Sequence, residues 1–101
     1  MKIDLKEVGE STTRLSIELT SIVGNINIRA EKKPTYPEFV RILEIQREAA
    51  QLLERVTIDH PDRFEQALIK IGNIPIAQFS RYGEPYDSYI RTIVMLTAVC
   101  Y

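Results

Sequence analysis

The chain has one cysteine, one histidine, four glycines and no tryptophan in 101 residues, and its charges nearly cancel. Each scarcity excludes something. Cys100 alone can form no intrachain disulfide, which fits a reducing compartment. His60 alone cannot supply the second imidazole of a two-histidine metal site. Thirteen basic residues stand against fourteen acidic ones, for a formal net charge of −1. By segment, residues 1–33 sum to +1 (6 against 5), 34–60 to −2 (3 against 5) and 61–101 to zero (4 against 4). No segment carries the basic excess of a duplex-binding protein, so a nucleic-acid partner is not expected. Nor does any carry the acidic surplus of a DNA mimic. Uninterrupted apolar runs fall far below the roughly 20 residues that cross a bilayer, so no membrane association is expected. The opening MKIDLKEVGE lacks the apolar core of a secretory signal, and a cytoplasmic location is the expectation.

What is present describes a folded domain. A hydrophobic fraction of 45% with 27% charged residues is ordinary for globular proteins and unlike disordered ones. A chain this long buries roughly two-thirds of its unfolded surface, so residues 1–101 are expected to form one domain with a thin core.

Residues 1–33 admit two readings. With period two, Leu15, Ile17, Leu19 and Val23 share one face and Arg14, Ser16, Glu18 and Thr20 the other. Gly24-Asn25 then sits at a two-residue hairpin loop, followed by Ile26, Ile28 and Ala30 in alternation. Ile3 and Leu5 would add a third strand. With a helical period, Leu5, Val8, Thr12, Leu15, Leu19, Ile22 and Ile26 form a seam, which leaves Ile17 and Ile28 unplaced and fills a helix with Ser, Thr and Gly. The strand reading places more apolar residues. The expected fold is therefore α+β, a small N-terminal antiparallel sheet of two or three strands followed by three or four helices. The alternative is an all-α bundle with residues 4–28 helical.

Residues 34–36 read as a linker between Lys33 and Pro37, because the two prolines forbid a helix interior or central strand. From Pro37 to about Ile58 the periodicity predicts a long helix. Phe39, Ile42, Leu43, Ile45, Ala49, Ala50, Leu52, Leu53 and Val56 cover half its circumference, wider than one helix–helix contact needs. Asp59-His60-Pro61-Asp62 ends it and opens a helix to about Ile71, with Phe64, Ala67, Leu68 and Ile71 inward. Gly72-Asn73 closes that helix. Pro75 opens a short one through IAQFSRYG, and Pro85 starts the last. The last helix contains YIRTIVMLTAVCY, apolar on nearly every side, and is expected to be central with a surplus face turned to a partner.

Chemistry-bearing residues are sparse. Glu7 with Glu10, and Glu84 with Asp87, stand one helical turn apart, the spacing at which carboxylates converge on magnesium. The phrase KEVGE resembles the first metal-binding motif of all-α nucleotide pyrophosphohydrolases over five residues. The second pair departs from that pattern, lying over seventy residues away with Pro85 inside it. His60 between Asp59 and Asp62 has the makings of a general base, but no nucleophile accompanies it. It reads as a loop residue beside a cap. Cys100 has no neighbouring cation in sequence to make it a reactive thiolate. The glycines form no phosphate loop. No catalytic residue, metal site or cofactor is expected.

Phe79, Arg81, Tyr82, Tyr86 and Tyr89 are the densest aromatic and arginine cluster, the residue types that protein interfaces enrich. They are the expected partner-binding residues, set against simple packing of the last helix. The function expected is a non-catalytic protein–protein interaction module that covers a surface of a larger protein. Small inhibitors, regulatory subunits and assembly factors, including those of phages and other mobile elements, work in this way. A homodimer through the last helix is a further expectation. The alternative from a different class is a small magnesium-dependent pyrophosphohydrolase.

Overall fold

The computed structural model describes residues 2–72 and 86–101, apart from the side chains of residues 86 and 87. Those residues form four helices and no strand: α1 (Leu5–Asn27), α2 (Tyr36–Asp59), α3 (Pro61–Gly72) and α4 (Tyr86–Cys100). The expected N-terminal sheet is therefore overturned, and the chain is an all-helical bundle. The short helix expected after Pro75 lies outside the described residues.

The physical reason for the correction is visible along α1. Its buried residues are Val8, Gly9, Thr12, Leu15, Leu19, Val23 and Ile26, at spacings of one, three and four. Ile17 and Ile28, whose placement favoured strands, are 66% and 83% exposed and contribute nothing to the core. The threonines fit a helix because each closes its hydroxyl on a carbonyl one turn back. Thr12 Oγ1 donates to Val8 O at 2.7 Å, Thr13 to Gly9 O at 3.0 Å and Thr20 to Ser16 O at 2.8 Å. Asp4 caps the helix by accepting the Lys6 amide at 2.9 Å. Gly24-Asn25 is helix, not turn.

The chain reverses later, over residues 28–35, where Lys32 takes a positive φ of 52°. Thr35 and Glu38 then form a capping box with Pro37 in the first turn of α2. Arg29 reaches across the reversal, donating to Lys33 O at 3.1 Å and to both Glu38 carboxylate oxygens at 2.5 and 2.6 Å. Farther along, Glu18 pairs with Arg41 and Arg14 with Glu48, and Ile3 meets Asp59 and His60. Rising numbers on α1 meet falling numbers on α2, so the two form an antiparallel helical hairpin.

α4 packs against α1, α2 and α3. Its Ile93, Met95, Leu96 and Val99 join Leu15, Leu19, Ile26, Ile45, Val56 and Ala67 in one core cluster. Fully burying a Leu or Ile side chain contributes roughly 1.5–3 kcal/mol, so this cluster is the main support of the fold. The Cα envelope measures 45 × 29 × 16 Å. With helix axes about 8–10 Å apart, that thickness holds two helix layers, which leaves each helix a side facing outward. No helix among the described residues is long and apolar enough to cross a membrane.

Candidate functional site

α2 is the helix whose apolar stripe is too wide for its packing. Ile42, Ile45, Ala49 and Val56 are buried. Phe39 and Leu43, expected inward, are 50% and 42% exposed, and Ala50 is exposed as well. At 100° per residue, Leu43, Arg47, Ala50, Glu54 and Ile58 fall within about 80° of one another, on the reverse of the face carrying Ile45 and Val56. All five are exposed, Ile58 at 69%. They make a seam along the outside of the bundle, spaced by four, three, four and four residues.

Beside the seam lies an open groove of about 440 Å³. Ala50, Leu53, Thr57 and Ile58 of α2, Phe64 of α3 and Thr92 of α4 line it, with Glu54 its one charged lining residue. The groove lies where α2, α3 and α4 converge. Leu53 and Phe64 are only partly buried against the core. On the next turn of α2, Gln46 Nε2 donates to Thr92 Oγ1 at 3.5 Å, while its Oε1 is buried with no donor among the described residues.

The aromatic cluster expected to bind a partner is mostly outside the described residues: Phe79, Arg81 and Tyr82 entirely, and Tyr86 as to its side chain, although its backbone opens α4. Tyr89 is partly buried and packs on the core. On α4, the exposed described residues are Ser88, Arg91 and Thr97, all polar. Among the described residues, the exposed apolar side chains group on α2 and α3, where Leu68 and Ile69 are also 52% and 64% exposed, with Ile17 standing alone on α1. In the sequence, the excess width of the α2 stripe was the sign of this.

The titratable candidates have structural partners. Asp59 Oδ2 accepts the Ile3 amide and the Arg55 guanidinium, both at 2.7 Å, and these bonds hold its carboxyl below the usual range, Arg55 contributing most. His60 Nε2 lies 2.8 Å from Ile3 O, and since a carbonyl only accepts, that nitrogen carries the proton. Bonds from Arg29, then from the Thr35 amide, lower Glu38 to about 2. Arg41 likewise lowers Glu18. Burial raises the Cys100 thiol, against a smaller opposing effect of Arg63, a cation that only the fold brings near. Glu7 and Glu10 are exposed on α1. Among the described residues no three His, Cys, Asp or Glu side chains gather where they would hold a metal ion. Comparison of the chain with protein-family models, curated proteins and solved structures finds no match.

Proposed function

We propose that the chain is a non-catalytic protein-binding domain that lays the outer face of α2 and the adjoining groove against another protein. The observation that supports this is the pairing of the exposed seam with an apolar groove beside it. Covering Leu43, Ile58 and Phe64 returns roughly 25 cal/mol for each Å² of apolar surface removed from water. A groove of this size accepts one or two anchoring side chains, which is how small interfaces concentrate their affinity. Ile58→Asp places a charge on the groove wall at an exposed position and leaves the core untouched. In affinity capture from the native host, the wild-type chain is expected to retain a protein that Ile58→Asp loses, with unchanged helical circular dichroism. Equal retention by both, or by neither, overturns the reading.

The pyrophosphohydrolase alternative draws support from the helical fold, which it requires, and from Glu7 and Glu10 one turn apart on the solvent side of α1. Its test is magnesium-dependent pyrophosphate release from nucleoside triphosphates, lost in Glu7→Gln. Absence of such turnover in the purified protein ends that alternative.

A further inference from the structure

The seam on α2 carries its own account of what covers it. Arg47 and Glu54 sit seven residues apart on the outward face, two turns along one helix, too far to pair within the chain. Neither has an ion-pair partner among the described residues, whereas Arg41 and Arg55 on the same helix are engaged. Between Arg47 and Glu54 stands Ala50, small enough to let another backbone approach. Outside them, Leu43 and Ile58 are both apolar and exposed.

We propose that the seam pairs with the same seam of a second copy, antiparallel, with the two-fold axis beside Ala50. That arrangement sets Arg47 of each copy against Glu54 of the other, and Leu43 of each at the groove wall formed by Ile58 of the other. An isologous interface makes each contact twice. The competing registers fail on charge. A parallel pair sets Arg47 against Arg47 and Glu54 against Glu54. An antiparallel pair centred on Arg47 or on Glu54 stacks like charges on the axis. Only the register about Ala50 joins unlike charges at both ends, and charge pattern is what fixes register between helices. The inference rests on the outer face of α2 being a binding surface, as proposed above, and names its occupant.

Charge exchange tests it. By sedimentation equilibrium, the wild-type chain is expected to dimerise. Arg47→Glu and Glu54→Arg are each expected to weaken the dimer about tenfold or more, since each replaces two attractions by two repulsions. The double variant is expected to recover wild-type association, and an equimolar mixture of the two single variants to form the heterodimer. A wild-type chain that stays monomeric to about millimolar concentration, or single variants that dimerise as well as wild type, overturns the inference. So does failure of both the double variant and the mixture to recover association. All of these variants keep Leu43 and Ile58, and Arg47→Glu also keeps every residue that lines the groove, so it is the variant to set beside Ile58→Asp. Loss of the dimer inference with Ile58-dependent capture intact leaves the binding surface standing for a different partner. Charge-dependent dimers with Ile58-dependent capture of the host's own copy of the chain alone leave the second copy as its occupant.

Discussion

Asp59 and Ile3, fifty-six residues apart, are joined by a hydrogen bond of 2.7 Å from the Ile3 amide to Oδ2. His60 completes the attachment by donating to the Ile3 carbonyl at 2.8 Å. Both polar groups of one backbone residue are thus satisfied from the junction of α2 and α3, and the segment entering α1 is tied down. This gives the only histidine a structural task. Asp59→Ala is expected to remove hydrogen-exchange protection at Ile3 and lower Tm, because it removes the acceptor of the Ile3 amide and, with it, the Asp59–Arg55 ion pair. Asp59→Asn, which retains an acceptor oxygen, is expected to fall between the two. Unchanged exchange at Ile3 in Asp59→Ala contradicts this.

Acid sensitivity follows from the carboxylates. Glu38 is lowered to about 2 by its bonds to Arg29 and Thr35, from an ordinary value near 4.5. A folded pKa below the unfolded one means that the native state binds fewer protons, so stability is present above about pH 4.5 and falls as pH drops towards 2. Glu18 and Asp59 act in the same direction. Tm measured from pH 6 to pH 2 is expected to fall through that window. Glu38→Gln is expected to start lower and lose less across it, and parallel curves for the two proteins refute the assignment.

Gly24 separates the two ways of reading the N-terminal third. In a hairpin loop it would need the left-handed backbone that alanine resists. In α1 it is helical, and an added Cβ meets nothing within 4 Å. Glycine inside a helix costs about 0.5–1 kcal/mol relative to alanine. Gly24→Ala is therefore expected to raise stability by about that amount in urea denaturation. A destabilised variant would restore the case for a turn.

That residue also shows why part of the fold was legible and part was not. α2 was readable because its stripe, its Pro37 start and its Asp59-His60-Pro61 stop agree. α1 was not, because Ile17 and Ile28 spoke for alternation while Val8, Thr12, Leu15, Leu19 and Ile26 spoke for a turn of 3.6 residues. Counting apolar residues favoured strands. What decided otherwise is tertiary: the seam has α2 and α4 to bury it, and the two odd isoleucines are left in water. The binding face was half legible. The width of the α2 stripe is written in the sequence, but which flank of it stays exposed depends on where α4 docks. The Arg29–Glu38 and Arg41–Glu18 pairs cross between elements and leave no mark in local sequence.

Gln46 is where the packing is least satisfied. It faces α4 from α2, its one bond to Thr92 is at the 3.5 Å limit, and its Oε1 is buried without a donor among the described residues. A buried acceptor without a partner costs about 1–3 kcal/mol, more than one long hydrogen bond contributes. Methionine has nearly the same length and flexibility and carries no such acceptor. Gln46→Met is therefore expected to stabilise the bundle by up to about 1 kcal/mol in urea denaturation, the lost Thr92 bond offsetting part of the gain. Gln46→Ala, which removes the same acceptor but opens a void between α2 and α4, is expected to lose stability. If methionine destabilises as much as alanine does, the glutamine amide is satisfied in solution and the contact is better made than its geometry indicates.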